Sequence, residues 1–407
     1  MNIFKKHFSG IGRNVVILGV VSLLTDLSSQ LVFPLLPLYI TTVLGGGAVA
    51  VGVIEGAAEA TASLLKVVSG YWSDKIKKRK PFVFFGYTLS ALMKPVLAFA
   101  GNWFTVLVIR VGDRVGKGLR DAPRDAIIAE SNDRATLGKA YGFNRALDGL
   151  GSVGGAVLAF LLLPVLGFVY LFKLAIIPGL LSIAVISWVK EPVRIESAKR
   201  KISLRLGFFQ LTRELKIFIL IAFIFTLGNY NYVFLMLRAQ ADGLSNEKTI
   251  MLYALFYLIY TLLSMRAGML SDKFGRKPVI IAGYILFTLL SFGLYVFSGP
   301  IYTVISFILF GIFFALIDGT QRAFVSDLSP AEIKGTALGT FHTFTGLAAL
   351  PAGLVAGQLW TRVNPGATFL FGTIIGMISV FAFYLLLYKK TRAEKKGPAN
   401  LYLSDGE

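Results

Sequence analysis

The sequence of 407 residues contains no cysteine and only two histidines, His7 and His342. The lack of cysteine excludes disulfides, cysteine-ligated zinc, iron–sulfur clusters and thiol nucleophiles. Two histidines are too few for a histidine-based metal cage. Charged residues are also scarce, at 15%, whereas soluble domains contain about 25%. These shortages predict no metal site, no cofactor and no ordinary soluble domain.

The residues that are abundant point to a membrane. Hydrophobic residues make up 55% of the chain and the mean hydropathy is +0.70, yet the net charge is +19. Apolar chains rich in basic residues are typical of multi-pass inner-membrane proteins, whose lysines and arginines lie in cytoplasmic loops. Nucleic-acid binding would need a soluble basic face. The sequence therefore predicts a lipid bilayer, and no nucleic acid, as a partner.

Apolar runs recur along the whole chain, and each is long enough to cross about 30 Å of hydrocarbon. They predict an all-α membrane protein with twelve transmembrane helices. The predicted spans are 14–40, 49–73, 81–101, 103–128, 138–163, 167–189, 217–237, 249–270, 278–298, 301–326, 335–359 and 366–388.

The basic residues predict how the chain is oriented. Residues 74–80 include Lys75, Lys77, Lys78, Arg79 and Lys80, whereas connections 41–50, 100–103 and 298–300 contain no lysine or arginine. Since basic loops stay in the cytoplasm, both termini are expected there. We predict four segments, which are a bundle at 1–189, a basic cytoplasmic linker at 190–216, a second bundle at 217–388 and a cytoplasmic tail at 389–407.

The two halves of the chain repeat each other at an offset of roughly 198 residues, as expected of transporter repeats. Gly-Tyr-Trp-Ser-Asp-Lys at 70–75 recurs as Gly-Met-Leu-Ser-Asp-Lys at 268–273, and each is followed by basic residues and a proline. Arg124 aligns with Arg322, and Gly149 with Gly346. The shared offset predicts two related bundles.

These motifs resemble the major facilitator superfamily, whose loop signature is Gly-x-x-x-Asp-Lys/Arg-x-x-x-Arg/Lys between the second and third spans. The chain is also similar to a prokaryotic group of that superfamily at 24–29, 34–37, 113–118, 123–126 and 145–148. The resemblance implies two pseudo-symmetric six-helix bundles that alternately expose a site at the membrane midplane. Gln30 and Ala156 depart from the acid and the proline usual there, which weakens any transfer of proton antiport.

The loop signature suggests a gate. We hypothesise that Asp74 pairs with Arg124, and Asp272 with Arg322, and that these pairs hold the inner side closed and break when the protein opens inward. Gly70 and Gly268 would let the helices approach closely. The alternative is a permanent anchor of basic residues that gates nothing.

The fourth span is unusually charged. Arg110, Asp113, Arg114 and Lys117 lie in its deeper part at helical spacings. A lipid-facing helix could not carry these charges, so they are expected to face protein or a wet cavity and to contact cargo. Residues 120–125 lie nearer the cytoplasm and are expected to be mostly structural.

Acidic residues on the first two spans are candidates for ion binding. Asp26, one turn before Gln30, is a mid-span carboxylate that suggests a proton or cation site. Its alternative role is a salt bridge to the fourth span. Glu55 and Glu59 lie on one helix stripe, and they either bind ions or neutralise the cations of the fourth span.

Later spans supply further polar groups. Arg145 and Asp148 are three residues apart on the fifth span and are expected to pair. His342 occupies the repeat position of Arg145, and it is either a protonatable partner or a packing residue. Polar contacts to small cargo from the second bundle are expected from Asn229, Asn231 and Asp318.

These residues together predict a secondary active transporter for a small organic solute, coupled to protons, with export favoured by the resemblance. A divalent metal cation as cargo and a non-transporting membrane receptor are the alternatives. An enzyme is excluded because the sequence has no nucleophile or metal constellation. We predict a monomer in the cell (inner) membrane, with a small molecule or ion and a proton as its partners.

Overall fold

The structure is a computed structural model, and it describes residues 12–131, 137–191, 211–329 and 333–388. Within these ranges the chain is helical almost throughout and contains no strand. Apolar sequence in a bilayer favours helices because every backbone N–H and C=O can be satisfied within the same segment. His7, residues 192–210 of the predicted linker and the predicted tail lie outside the described ranges.

Seven α-helices form the N-terminal bundle within the described ranges. Short 3-10 turns at Phe33–Leu35 and Leu97–Phe99 connect two pairs of segments. The helices are α1 (Arg13–Gln30), α2 (Leu36–Thr42), α3 (Ala48–Ile76), α4 (Lys80–Val96), α5 (Trp103–Glu130), α6 (Leu137–Leu174) and α7 (Ile176–Ile186).

The described part of the C-terminal bundle contains seven further α-helices, followed by a π-helical turn at Tyr384–Tyr388. They are α8 (Arg213–Gly228), α9 (Tyr232–Ala241), α10 (Asn246–Phe274), α11 (Arg276–Val296), α12 (Pro300–Asp327), α13 (Lys334–Arg362) and α14 (Pro365–Phe383).

Described helices lie at every predicted span. Ten helical segments of the described chain are long and apolar enough to cross a membrane. One of them, Phe143–Ile186, contains both the fifth and the sixth predicted spans. Gly167 separates these two spans, with a φ of 67° that favours glycine. The fourth predicted span is α5, which has the length to cross but is less apolar because of its charges.

The helices run between two ends of different charge. We call the end with residues 75–80 the basic end, and the end with 43–47, 100–102 and 297–299 the low-charge end. The bundles meet chiefly where α3 packs on α13 and α6 packs on α10. At the low-charge end the hydroxyl of Thr41 lies 3.2 Å from Oε1 of Gln240, which links the two bundles.

Candidate functional site

A cavity of about 1900 Å³ lies between the two bundles. It extends from Phe33, Gly52 and Phe234 to Asp74 at the basic end. Nearer the low-charge end the backbones of α3 and α13 touch at Gly52 and Gly353, where an added Cβ would clash with the opposite carbonyl. Glycine is therefore needed for this contact, which closes the cavity on that side.

The first helix of each bundle is interrupted beside the cavity. In the N-terminal bundle α1 ends at Gln30 and α2 begins at Leu36, and Pro34 in the turn between them cannot donate a helical hydrogen bond. In the C-terminal bundle α8 ends at Gly228 and α9 begins at Tyr232, at the equivalent repeat position. Such discontinuous helices place free polar groups at transporter binding sites.

Polar side chains lie at both interruptions. Asn229 and Asn231 line the cavity, and their Oδ1 atoms are buried without a hydrogen-bond partner in the described structure. Gln30 accepts a hydrogen bond of 2.6 Å from the hydroxyl of Tyr253, which belongs to the opposite bundle. The two interruptions thus offer unused acceptors and one bond between the bundles.

A fully paired group of charges lies at the cavity wall, with Arg110 behind it and Glu55 and Asp113 lining it. The guanidinium of Arg110 donates to both carboxylate oxygens of Glu55, at 3.1 and 3.0 Å, and to Asp113 at 3.3 Å. It also lies 3.6 Å from the centre of the Phe33 ring. Asp113 accepts a further bond from Ser90. Burial of these charges is tolerable because each one has partners of opposite sign.

This pairing corrects one prediction. Arg110 was expected to contact cargo, but its side chain is completely buried and it does not line the cavity. The reason is that Glu55 on α3 lies opposite Arg110 on α5. The expectation that Glu55 neutralises a cation of the fourth span is confirmed by the same contact.

Sequence reasoning missed Lys94 on α4. This lysine is 1% exposed, and its Nζ lies 3.2 Å from the hydroxyl of Ser28 on α1. Ser28 in turn donates to the carbonyl oxygen of Ala175, at 2.7 Å, beside the break between α6 and α7. Asp113 and Asp26 are the acids that interact with Lys94 electrostatically. A lone lysine inside an apolar run was the available signal.

The cavity face of α5 carries cations with unused donors. Arg114, Lys117 and Arg120 line the cavity and make no hydrogen bond with any described residue. The closest carboxylate oxygens to the two guanidinium groups, on Asp113 and Asp121, are 3.8 and 3.9 Å away. Asp121 is instead bound by Lys66 of α3 at 3.3 Å. The donors of Arg114, Lys117 and Arg120 are thus unused, while the acids of α5 are bound more closely by other cations.

Two carboxylates are also open to the cavity. Asp26 lines it and has no hydrogen bond or ion pair with a described residue, so the alternative of a salt bridge to the fourth span is not formed. Glu59 is exposed there, and its one hydrogen bond is a long one of 3.5 Å from Ser63. Arg145 and Asp148 pair at 3.4 Å as predicted.

The opposite wall is aromatic. Tyr253, Phe256, Tyr257 and Tyr260 lie on one face of α10 and line the cavity together with Tyr232 of α9. Their spacing of three and four residues is that of one helix face. Sequence reasoning missed this aromatic face, although its spacing was visible in the sequence.

Few charges accompany these rings. Asp318 accepts hydrogen bonds from Arg322, on the same helix, and from Tyr260 at 2.8 Å. His342 lines the cavity, and its ring lies 5.3 Å from that of Phe341. It makes no hydrogen bond with the described residues.

The predicted gate pairs of the N-terminal bundle are not formed in this structure, whose cavity reaches the basic end, so the gate stays a prediction. Asp74 is bound by Arg79 at 3.0 Å, and the same arginine reaches Glu130 at the end of α5 at 2.8 Å. Arg124 pairs with its neighbour Asp125 at 3.0 Å. Arg79 follows Asp74 by five residues at the turn between α3 and α4, so it reaches the carboxylate where Arg124 does not.

The C-terminal bundle repeats the arrangement. Arg276 bridges Asp272 at 2.5 Å and Asp327 at 3.0 Å. Arg322 pairs with Asp318, one turn earlier on α12, rather than with Asp272. In each bundle the loop arginine, Arg79 or Arg276, therefore bridges the signature acid and an acid at the end of a later helix, α5 or α12. The arginine within that later helix, Arg124 or Arg322, does not contact the signature acid.

Most of the predicted site residues meet in the cavity. Gly268 and Asp272 do not line it, and a Cβ on Gly268 would meet nothing among the described residues, so the close approach expected there is absent. The predicted residues that do line it are Asp26, Gln30, Glu55, Glu59, Gly70, Asp74, Asp113, Arg114, Lys117, Arg124, Arg145, Asp148, Asn229, Asn231, Asp318, Arg322 and His342.

Comparison with known proteins agrees with this architecture. Residues 18–237 and 218–401 match the Major Facilitator Superfamily. The chain is 41% identical over 377 residues to an uncharacterized MFS-type transporter of Methanocaldococcus jannaschii, covering 91% of this chain and 94% of the relative. It is 28% identical over 392 residues to the fosmidomycin resistance protein of Escherichia coli, covering 90% and 92%.

Solved structures of low sequence identity share the fold. A crystal structure of a nucleoside transporter, NupG, has a TM-score of 0.76 at 15% identity and covers 91% of this chain and 99% of that one. A D-xylose–proton symporter has a TM-score of 0.72 at 16% identity, covering 91% and 96%. The predicted fold of two pseudo-symmetric helical bundles is confirmed. The chain belongs to the major facilitator superfamily, and it is a multi-pass membrane transporter rather than an enzyme.

Proposed function

We propose that this transporter exports a small organic solute across the cell membrane in exchange for protons, with Asp26 as the proton-binding group. The observation that carries the proposal is the state of the carboxylates. Glu55, Asp113 and Asp121 are held by cations, whereas Asp26 lies open to the cavity. A proton can therefore bind Asp26 without breaking an ion pair.

The surroundings of Asp26 suit a group that changes charge. Charges of both signs surround it, namely those of Asp148, Lys117, Arg120 and Arg124. Such opposing influences make the charge of a carboxylate sensitive to small movements of its neighbours. A rearrangement of the bundles would alter these influences, which links proton binding to the conformation.

The cavity supports alternating access. We propose that the basic end and both termini face the cytoplasm, because lysines and arginines are retained on that side. The cavity then opens inward, and the contact of Gly52 with Gly353 and the bond of Thr41 with Gln240 close it outward. Rocking of one bundle against the other would separate these contacts and expose the same site outside.

Export is supported by one relative. The Escherichia coli protein is named for resistance to fosmidomycin, and removal of a toxic compound from the cell is one route to resistance. The cavity lies within one chain, so we propose that a monomer is sufficient. Metal cargo has no support, because no three His, Asp or Glu side chains of the described residues come together in a way that could hold an ion.

The proposal is tested with purified protein in proteoliposomes. Small anions, cations and zwitterions, each radiolabelled, are offered to vesicles with an acidic lumen, and uptake is measured before and after addition of a protonophore. Exchange predicts uptake that needs the acidic lumen. Uptake driven by an acidic exterior would indicate symport instead, and binding without any flux would indicate a receptor.

A further inference from the structure

We propose that the cargo is an organic anion with an aromatic or apolar body, whose acidic group binds to Arg114, Lys117 and Arg120 and whose body lies on the tyrosines and phenylalanines of α10. This inference rests on the proposed transport function and specifies the class of its substrate.

The acids and the cations of α5 differ in how closely they are bound by other side chains. Its acids Asp113, Asp121 and Asp125 are each bound by a cation within 3.3 Å. Its cavity-lining cations Arg114 and Lys117, three residues apart, have no hydrogen bond with a described residue. Helical spacing puts both on one face, so their donors are available to a ligand.

Arg120 is a buried cation whose donors are partly unused. This residue is 5% exposed, it lines the cavity, and its Nε and Nη1 atoms have no hydrogen-bond partner in the described structure. Its guanidinium lies 4.5 Å from the centre of the Tyr87 ring, which holds it in place without using its N–H groups. A buried donor without a partner is costly, and an anionic ligand would relieve that cost.

The open carboxylates do not cancel these cations. Asp26 and Glu59 are the acids of the described cavity wall without an ion pair, whereas Asp113 and Asp121 are each shared by two cations, the closer at 3.3 Å and the farther, Arg114 or Arg120, at 3.8 or 3.9 Å. The unused N–H groups of Arg114 and Arg120 therefore favour an anion. Export of an anion is also aided by the membrane potential, at about 2.3 kcal/mol per charge for 100 mV.

The opposite wall, on α10, indicates that the rest of the cargo is apolar or aromatic. Tyr253, Phe256, Tyr257 and Tyr260 form a continuous aromatic face on α10, with neighbouring ring centres 5.0 to 6.2 Å apart. Rings of this kind bind apolar or planar groups through offset and edge contacts. The two walls together fit a molecule with one charged and one apolar part.

Binding of permanently charged probes tests the class of cargo. Benzenesulfonate, methanesulfonate and benzyltrimethylammonium at millimolar concentration are each added to the purified full-length protein, and thermal stabilisation is measured. We expect stabilisation in the order benzenesulfonate, methanesulfonate, benzyltrimethylammonium, with the cation giving none. Stabilisation by the cation alone, or by none of the three, would overturn the proposal.

Variants locate the binding. Lys117→Gln is expected to weaken benzenesulfonate binding about tenfold, the value of one charge-assisted hydrogen bond. Arg114→Gln gives a second test if the first variant folds poorly. Lys173→Gln is the matched control, because this exposed lysine lies 5.5 Å from the Phe99 ring and does not line the cavity. Equal binding by all three variants and the parent contradicts the site.

Measuring binding and flux separately distinguishes a failure of the cargo class from a failure of proton exchange. Binding of the anion without proton-dependent flux would leave the cargo class standing and overturn proton exchange. Proton-dependent flux of a cation that does not compete with benzenesulfonate would leave proton exchange standing and overturn the cargo class.

Discussion

The two walls of the cavity come from homologous bundles but have different chemistry. The N-terminal wall carries open charges, among them Asp26, Glu59 and Lys117. The C-terminal wall is made of rings such as Tyr253 and Phe256, and its acid Asp318 is already held by Arg322. The repeat therefore preserved the helices and their ends, while the residues that face the cavity diverged.

The difference teaches how charges are distributed in this membrane protein. In the N-terminal bundle they form two layers. Arg110, Glu55 and Asp113 make a paired layer, in which Arg110 lies behind the wall, and Lys94 lies nearby. The second, open layer consists of the cavity-lining charges such as Asp26, Glu59 and Lys117, and these side chains have few partners. Paired charges stabilise one packing of the helices, whereas open charges remain available for ligands and protons.

The largest expected effect concerns the paired layer. Arg110→Gln leaves Glu55 and Asp113 buried without their cation, so we expect the free energy of unfolding to fall by about 3–5 kcal/mol. Unfolding in mixed detergent micelles measures it. Arg114→Gln, on the same helix but in the open layer, is the matched control and should cost less than about 1 kcal/mol. Equal losses would show that the two layers are not distinct.

A smaller effect compares the two bundles at the basic end. Arg79 and Arg276 make the same bridge in the two halves, but the side chain of Arg79 is 10% exposed and that of Arg276 is 23% exposed. We expect Arg79→Gln to lower the free energy of unfolding by about 1–2 kcal/mol and Arg276→Gln by less than about 1 kcal/mol. The same micelle unfolding measures both. A larger loss for Arg276→Gln would reverse the comparison.

The smallest effect lies where the two walls touch. Tyr253→Phe removes the hydrogen bond to Gln30, which should favour opening at the low-charge end by about 0.5–1.5 kcal/mol. Spin labels report it as a longer distance between Val43→Cys and Ala241→Cys, which is unambiguous because the chain has no native cysteine.

The matched control for that experiment is Tyr284→Phe. This residue accepts a hydrogen bond from Gln321 within the C-terminal bundle, so its loss should not change the distance between the labels. An unchanged distance in Tyr253→Phe as well would show that the bond between the bundles does not hold the low-charge end closed.

Much of the fold could be predicted from the sequence, because the length of an apolar run is set by the thickness of the bilayer. The spans were placed within a few residues of their helices. The charged face of α5 was also predictable, since charges at helical spacing cannot face lipid. Which of those charges are paired was not, because Glu55 and Arg110 are brought together only by packing of α3 on α5.

Other features depended on three-dimensional context. The breaks after Gln30 and Gly228 lie inside predicted spans that continue for nine or ten residues beyond them. Lys94 lies three residues before the 3-10 turn that ends its span, where a lysine usually reaches toward the membrane surface. The loop bridges of Arg79 and Arg276 were not predicted, because alignment of the repeats identified equivalent positions, not which side chains reach one another.

The most direct test of the account is transport by Asp26→Asn. In proteoliposomes, counterflow of benzenesulfonate with no pH gradient is compared with uptake driven by an acidic lumen. If Asp26 carries the proton and Arg114, Lys117 and Arg120 hold the anion, the variant keeps counterflow near the parental rate and loses the driven uptake. Driven uptake that survives in Asp26→Asn would contradict the account.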